Sequence, residues 1–250
     1  MSVGDRMIRM FAAASVAVML TGAAADAATI AGSSNGSNFS GLSGGNFYEL
    51  YTATGNANSG VRWGDDDTRN SNGLTRPSTL VANNVSWSSA LPANDVTLAS
   101  LTWFNSSTLS SRTPDDFNVT YNLLLDFSTP NTVVLAEDFP VAITNTNNPA
   151  GDEVDFVIST NISQLLATIN AALSPFSLIA SDLRFQLQAG SHGSFNAVSG
   201  EWFNPEKKTS TLLLTADVSA VAVPIPEPAT LALLAAGLLG LGFAARRRRA

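Results

Sequence analysis

The sequence predicts an all-β protein: an antiparallel β-sandwich, jelly-roll-like, with one short amphipathic helix. Its central region is rich in Thr, Val, Phe and Trp, which favour strands, and in Ser, Asn and Gly, which favour turns. About ten short segments alternate apolar and polar residues or are bounded by turn residues, as strands of a sandwich are. Only residues 162–173 carry their apolar side chains at helical spacing instead.

The strands are expected to form one domain over residues 46–220, after a flexible leading segment over residues 28–45. The leading segment is rich in Ser, Gly and Asn and has no clear apolar period. The clearest strand covers residues 117–127, where Phe117, Val119 and Tyr121 begin a row of large side chains on one face. The other predicted strands cover residues 46–54, 59–64, 78–82, 85–91, 96–105, 132–136, 139–144, 153–160, 183–189, 193–203 and 209–223.

The predicted helix covers residues 162–173. Ser163 is expected to cap its first turn, and Pro175 stands just beyond its end, where a helix cannot continue. We expect the helix to pack on the sandwich through apolar residues that recur at steps of three and four, namely Ile162, Leu165, Leu166, Ile169 and Leu173.

The first 27 residues have the three parts of a secretory signal peptide. Arg6 and Arg9 give a positive start, and an apolar stretch over residues 10–20 follows. Ala25 and Ala27 flank Asp26 as the small residues of a cleavage site. We therefore expect signal peptidase to remove residues 1–27 during export through the inner membrane.

The C-terminus combines a proline-rich linker, an apolar stretch and a basic tail. The linker covers residues 221–228, and the 17 residues 229–245 carry no charge. A membrane-spanning helix needs about 20 apolar residues, with about 17 as the lower limit, so residues 229–245 are expected to span the bilayer. The basic tail, residues 246–250, would stop transfer on the cytoplasmic side through Arg246, Arg247, Arg248 and Arg249.

The same C-terminal segment resembles a known sorting signal. Pro226, Glu227 and Pro228, followed by a short apolar helix and terminal arginines, resemble the PEP-CTERM signal of Gram-negative bacteria. The resemblance implies recognition by an exosortase, a membrane cysteine transpeptidase that cleaves near the Pro-Glu-Pro and transfers the protein to the cell surface. It also implies transient anchoring in the inner membrane and a host that makes exopolysaccharide or a biofilm matrix.

A second resemblance covers the central region. Trp63 with Gly64, residues 78–81 and residues 101–105 are similar to the exported choice-of-anchor K domains, which are related to PEP-CTERM proteins with a Thr-His-x-Asn motif. Thr102 and Asn105 match that motif, whereas Trp103 stands in place of its histidine. The resemblance implies a β-rich exported module and supplies no catalytic residues.

Charge and cysteine content exclude several functions. The chain has no cysteine, so thiol catalysis, Cys-ligated zinc and a disulfide scaffold are excluded. Removal of both terminal segments would take away six of 13 basic and three of 20 acidic residues, which leaves 7 basic and 17 acidic residues and a net charge of −10. A domain this acidic repels polyphosphates, so no nucleic-acid partner is expected.

One acidic segment is a candidate calcium site. Residues 65–73 combine carboxylates with amide and hydroxyl oxygens, the hard ligands that calcium prefers. Asp65, Asp67 and Asn70 are the candidate ligands, although the spacing is not that of an EF-hand. The alternative is a solvated loop that keeps an exported protein in solution, with no cofactor.

Three further features suggest weaker alternatives. Tryptophans that were exposed could stack on sugar rings; the alternative is that Trp63, Trp87, Trp103 and Trp202 are core residues. His192 lies between glycines, which favours a turn over a Ser-His-Asp triad with Asp182. Paired carboxylates would suit a glycoside hydrolase only if they faced each other across a cleft.

Together these observations predict an exported, exosortase-sorted protein of the cell surface or extracellular matrix. Its β-sandwich would be structural and without enzymatic activity. The first alternative is a module that binds calcium or exopolysaccharide, and the less favoured one is a glycoside hydrolase.

Overall fold

The computed structural model describes residues 28–44, 48–51, 57–64, 77–106, 116–144 and 152–221, together with Gly237. Within these residues the chain forms fourteen strands, one α-helix and one 3-10 turn. The helix α1 covers Ile158–Leu173 and the 3-10 turn covers Ser174–Phe176. The strands are β1 (Thr29–Ser33), β2 (Asn38–Gly44), β3 (Tyr48–Tyr51), β4 (Ala57–Trp63), β5 (Ser78–Asn83), β6 (Ser86–Ala90), β7 (Ala93–Asn105), β8 (Phe117–Thr129), β9 (Val133–Thr144), β10 (Asp152–Phe156), β11 (Leu178–Leu187), β12 (Ser194–Phe195), β13 (Glu201–Asn204) and β14 (Lys208–Ala220).

The strands form two antiparallel sheets, which confirms the predicted all-β sandwich. The eight-stranded sheet has the order β12-β13-β10-β9-β8-β1-β6, and β2 pairs with the first half of β8 beside β1. The six-stranded sheet has the order β11-β14-β7-β5-β4-β3. The strand predicted over residues 117–127 is β8, which pairs with β9 over eleven consecutive positions. Its alternating burial follows directly from the period-two pattern.

Aromatic rings join the two sheets in the core. Trp63 of β4 packs edge-on against Phe117 of β8, with ring centroids 5.6 Å apart. Phe139 of β9 meets Phe185 of β11 in the same geometry at 5.5 Å. All of these side chains are buried, and offset or edge-to-face aromatic pairs add stability beyond the area they bury. A chain without disulfides is therefore held together by a continuous apolar core.

The prediction of a flexible leading segment over residues 28–45 is wrong. Strand β1 lies between β6 and β8, and β2 pairs with β8. Ile30 and Phe39 are buried in the core. The small residues that suggested flexibility are instead required by packing: a Cβ atom at Gly32 would lie 2.5 Å from the Asp126 carbonyl oxygen and 2.6 Å from the Trp87 ring.

The helix begins earlier than predicted. Ile158 is its first residue, so Ser163 lies inside the helix and does not cap it; Val157 precedes the first turn. Ile158 is buried and extends the same apolar repeat backwards by one helical turn. Its β-branched neighbours favoured a strand up to residue 160 in the sequence, but the strand ends at Phe156. The predicted end at Leu173 is confirmed.

The structure also joins one pair of predicted strands and divides another predicted strand. Residues 132–136 and 139–144 form one continuous strand, β9, in which Pro140 pairs with Thr120 of β8. Residues 193–203 form two strands, because the chain turns between β12 and β13 and the Gly200 N–H donates to the Asn196 carbonyl at 2.8 Å.

Candidate functional site

The last strand of the sandwich leads directly to the C-terminal segment. Strand β14 ends at Ala220, and the Val221 N–H donates a 2.7 Å hydrogen bond to the Ser177 carbonyl. The chain therefore leaves the domain beside the start of β11 and the end of α1. Asn170 of α1 fixes this corner, because its side chain accepts from the Ala180 N–H at 2.7 Å and donates to the Ala180 carbonyl at 3.1 Å.

Several predicted site residues lie outside the described residues. They comprise the predicted signal-peptide cleavage site, the candidate calcium ligands, the sorting motif and the basic stop, namely Ala25, Ala27, Asp65, Asp67, Asn70, Pro226, Glu227, Pro228, Arg246, Arg247, Arg248 and Arg249. The helix predicted at 229–245 is also outside, apart from Gly237. Of the helices within the described residues, none is long and apolar enough to cross a bilayer.

Several of the described acidic side chains bind other protein groups. Asp95 and Asp182 both form ion pairs with Arg184 on the surface of the six-stranded sheet. Asp138 accepts a 2.6 Å hydrogen bond from the Asn122 side chain. Across the described ranges of the chain, no three His, Asp or Glu side chains cluster as they would around a metal ion.

The Glu137 carboxyl has a pKa above its ordinary value. Desolvation raises its pKa, and the neighbouring Asp138 raises it further. A carboxyl with a raised pKa is a candidate general acid when it lines a cleft. Glu137 lies instead in the middle of β9, opposite Leu123 of β8.

The four tryptophans are core residues, so the hypothesis that they form an exposed sugar-stacking surface is wrong. Trp63, Trp103 and Trp202 are almost completely buried and Trp87 is buried as well. The Trp103 and Trp202 rings meet edge-on with centroids 5.4 Å apart. These side chains stabilise the sandwich and are not available to a ligand.

The segment with the Thr102 and Asn105 pattern is also structural. Asn105 is completely buried; its side chain donates to the Asn204 carbonyl at 2.7 Å and accepts from the Ser78 hydroxyl at 3.3 Å. Thr102 points to the opposite, outer face of the sheet, where its hydroxyl lies 3.4 Å from that of Thr211. The pattern thus has one residue in the core and one on the surface.

His192 lies in the turn after β11. Its backbone N–H is 3.5 Å from the Thr209 carbonyl oxygen, and the residue is exposed. Asp182, the acid considered as its partner, forms an ion pair with Arg184. The observed ion pair gives Asp182 a structural role at the irregular position of β11.

An aromatic and polar surface that the sequence analysis missed covers the outer face of the six-stranded sheet. The ring of Tyr51 lies over Gly60 of the adjacent strand, where a Cβ atom would come within 2.8 Å of it. The Arg62 guanidinium lies 5.5 Å from the centre of the same ring and forms an ion pair with Glu49. Burial raises the pKa of Tyr51, which keeps its hydroxyl neutral, while the hydrogen bond to Thr79 and the charge of Arg62 lower it.

Polar side chains continue this surface across the sheet. Asn83 donates to the hydroxyls of Ser100 at 3.0 Å and Thr102 at 2.8 Å. Thr211 comes next, on β14, opposite Thr102. We call Tyr51, Arg62, Asn83, Thr102 and Thr211 the outer-sheet surface. The strand register that brings these residues together joins positions far apart in the chain, so only the fold reveals it.

Comparison with known families identifies the C-terminal segment. Residues 224–249 match the PEP-CTERM protein-sorting motif. The chain carries a PEP-CTERM sorting signal. The match includes Pro226, Glu227 and Pro228, the apolar stretch and all four arginines. No curated protein matches the chain.

The PEP-CTERM signal indicates which kind of enzyme processes the protein and how the protein is exported. It implies recognition by an exosortase, export, and transient membrane anchoring before release to the surface. Together with the β-rich fold, the signal supports an exosortase-sorted exported protein. Three residues, Val221, Ala222 and Val223, separate the end of β14 from the start of the motif at Pro224.

Proposed function

We propose that the PEP-CTERM protein is a structural component of the cell surface or extracellular matrix and that its β-sandwich has no enzymatic activity. The observation that carries this proposal is the position of the sorting motif, immediately after the last strand of the domain. A cut near Glu227 removes the membrane anchor and leaves all fourteen described strands intact. The domain is therefore the cargo of the sorting reaction.

The chemistry of the described surface supports a non-enzymatic role. Asp95, Asp138 and Asp182 each bind a neighbouring side chain, and these contacts give them structural roles on the strands. A glycoside hydrolase needs two carboxyl groups about 5 to 10 Å apart across a substrate cleft, one of them free to donate a proton. Ion-paired and hydrogen-bonded acids on flat sheet faces fit that requirement poorly.

The sorting part of the proposal is tested by a charge-removing change in the motif. In a host that encodes an exosortase, we expect the Glu227→Ala protein to stay in the inner membrane and the wild type to be released. The intact mass of the released protein gives both cleavage positions. Glu206→Ala, in the turn before β14, is the matched control and should be released normally. Release of the Glu227→Ala protein with the wild-type mass would contradict the proposal.

The non-enzymatic part is tested separately on the domain of residues 28–226. Incubation with the host exopolysaccharide is expected to leave its length distribution unchanged. Production of new reducing ends, lost in Asp138→Asn or Glu137→Gln, would overturn this part and leave the sorting role untouched.

A second candidate function, binding of exopolysaccharide, is favoured by the outer-sheet surface. Sugars are recognised by a flat aromatic ring together with amide, hydroxyl and guanidinium groups that bind their hydroxyls. Tyr51 offers its ring over Gly60, and Asn83, Thr102 and Thr211 supply polar groups on adjacent strands. Neighbouring strands lie about 4.8 Å apart, so this row could follow several units of a polysaccharide laid across the sheet.

Binding is tested by electrophoresis of the domain through gels that contain host exopolysaccharide. We expect the wild type to be retarded and Tyr51→Ala and Asn83→Ala to migrate freely. Asn122→Ala, on the outer face of the other sheet, is the matched control and should be retarded like the wild type. Equal retardation of all three variants would contradict binding at the outer-sheet surface.

A further inference from the structure

The corner where the chain leaves the domain carries an exposed apolar surface. Phe176, Ile179 and Val221 are 40%, 43% and 49% exposed. Ile179 and Val221 line an open groove of about 590 Å³ that α1 completes with Ala167, Ala171 and Asn170. We call this groove and the neighbouring Phe176 the exit surface. Large apolar side chains grouped in this way, rather than scattered singly, indicate a contact with another apolar body.

The exit surface lies in a long segment without charge. None of the 25 residues 157–181, which form α1, the 3-10 turn and the start of β11, is Asp, Glu, Lys, Arg or His. The domain around it has a net charge of −10 once both terminal segments are removed. Anionic lipid headgroups repel an acidic protein surface. The exit surface therefore adds no charge of its own that anionic headgroups would repel.

The acidic side chains of β11 and β14 that lie nearest to the exit surface are bound within the domain. Asp182 of β11 forms an ion pair with Arg184, and the Asp217 carboxylate of β14 accepts a 2.8 Å hydrogen bond from the Asp95 N–H. The same Arg184 also pairs with Asp95. Arg184 thus partly compensates the acids at the β11 end of the charge-free segment.

The tether brings the exit surface to the bilayer. Only the seven residues 222–228 separate Val221 from the predicted membrane helix at 229–245. Seven fully extended residues span at most about 25 Å, which is less than the thickness of the hydrocarbon core alone. The hydrogen bond from Val221 to Ser177 fixes the exit point at the groove. A linker of this length limits the distance of the domain from the bilayer but does not fix its orientation. The apolar, uncharged exit surface determines the orientation.

We propose that, in the anchored state before exosortase cleavage, the exit surface lies against the outer leaflet of the inner membrane, with Phe176, Ile179 and Val221 in the headgroup region. This rests on the proposed sorting function, which supplies the anchor. The contact presents one fixed side of the sandwich to the membrane and holds the linker close to the bilayer, where a membrane-embedded exosortase works. Release at the cell surface then leaves the same apolar corner free.

The chain has no native cysteine, so a single introduced thiol can report this contact. Anchored protein is purified from a host without exosortase and reconstituted in vesicles of phosphatidylethanolamine and phosphatidylglycerol that contain a nitroxide-labelled lipid. An environment-sensitive fluorophore is placed at Ile179→Cys. The control is Val198→Cys, since Val198 is 89% exposed in the turn between β12 and β13. We expect a blue shift and loss of most emission at position 179, and neither at position 198.

A third protein, Phe176→Cys with Ile179→Asp, tests the cause of the contact. The added charge on the exposed face of β11 should restore the emission at position 176 that Phe176→Cys alone loses, while the melting temperature stays that of Phe176→Cys.

Flotation of the vesicles separates the two ways in which the experiment can fail. Protein that floats with the vesicles but shows no quenching at position 179, or equal quenching at 179 and 198, would overturn the membrane contact and leave the anchoring intact. Protein that does not float would overturn the anchoring and the contact together. Protection of position 179 only after purified exosortase is added would replace the lipid by the enzyme as the partner.

Discussion

Asn105 and Asn204 hold the two sheets together reciprocally, because each side chain binds the main chain of the strand that carries the other. The Asn105 amide donates to the Asn204 carbonyl at 2.7 Å, and the Asn204 amide donates to the Trp103 carbonyl at 3.1 Å. Asn105 ends β7 of the six-stranded sheet, and Asn204 ends β13 of the eight-stranded sheet. Both are completely buried. The link therefore closes one end of the sandwich.

Replacement of Asn105 by alanine should destabilise the domain strongly. Asn105→Ala leaves the buried Asn204 carbonyl without this donor and the Ser78 hydroxyl without this acceptor, and a buried group left unpaired costs about 1 to 3 kcal/mol. Urea unfolding of residues 28–226 measures the loss. Thr102→Ala, on the outer face of the same strand, is the control and should cost less than about 1 kcal/mol. Equal effects of the two substitutions would contradict a special role for Asn105.

Two tryptophans in edge-to-face contact offer a matched pair of substitutions. Trp103 and Trp202 are both completely buried and in contact. The Trp202 indole N–H donates to the buried Ser210 hydroxyl at 2.9 Å, whereas the Trp103 indole N–H has no hydrogen-bond partner among the described residues. Trp202→Phe should therefore be more destabilising than Trp103→Phe by about 1 kcal/mol, the net value of a typical hydrogen bond.

Chemical denaturation of both variants gives the difference directly. The double variant Trp202→Phe with Ser210→Ala removes donor and acceptor together and should recover part of the loss. If Trp103→Phe proved the more destabilising of the two, ring packing rather than hydrogen bonding would dominate at this contact.

The sequence predicted those strands and helix ends in which the spacing of apolar residues matches the period of the element. Strand β8 and the end of α1 at Leu173 were predicted because their apolar residues recur at the period of the element. Strand β1 was not predicted because its Gly and Ser residues are also typical of flexible segments. In this strand the small residues are needed for another reason, namely that a large side chain packs directly over them. That side chain belongs to Trp87, which is distant in the chain.

The functional surfaces depended even more on contacts between distant residues. The terminal sorting signal could be read from the sequence because it is one continuous segment. The outer-sheet surface joins Tyr51 of β3 with Thr211 of β14 across intervening strands, and no local pattern records that pairing. The difference in role between Thr102 and Asn105 likewise follows from which face of β7 each occupies.

Gly32 should tolerate no side chain. Its Cβ atom would meet backbone on one side and the Trp87 ring on the other, at 2.5 and 2.6 Å, so either β1 or its neighbours must move. Overpacking of this kind costs about 1 to 3 kcal/mol, and we expect Gly32→Ala to reach the upper end. The control is Gly36→Ala, whose Cβ would meet only the end of the flexible Leu124 side chain and should cost less than about 1 kcal/mol.

Thermal unfolding of the two alanine variants distinguishes packing from the general effect of replacing glycine. Replacement of a glycine by alanine also restricts the unfolded chain, which alone would be stabilising in both variants. A Gly32→Ala protein as stable as Gly36→Ala would mean that β1 is not held tightly between β6 and β8.

The raised pKa of Glu137 makes stability depend on pH in a defined direction. Desolvation, and then the charge of Asp138, raise its folded-state pKa above the ordinary value of 4.5, so the folded state disfavours ionisation more than the unfolded chain does. Its contribution to stability is fully present below pH 4.5 and is lost as the pH rises through the folded-state pKa.

The Glu137→Gln variant should therefore be as stable as the wild type in acid and more stable than the wild type at neutral pH. Because the side chain is only partly buried and solvent screens its charge, we expect a gain of only about 0.3 kcal/mol. Urea unfolding at a series of pH values measures this, and Asp138→Asn, which removes the neighbouring charge, should shrink the gain. A Glu137→Gln variant less stable than the wild type at neutral pH would show that the ionised carboxylate makes a favourable contact on β9.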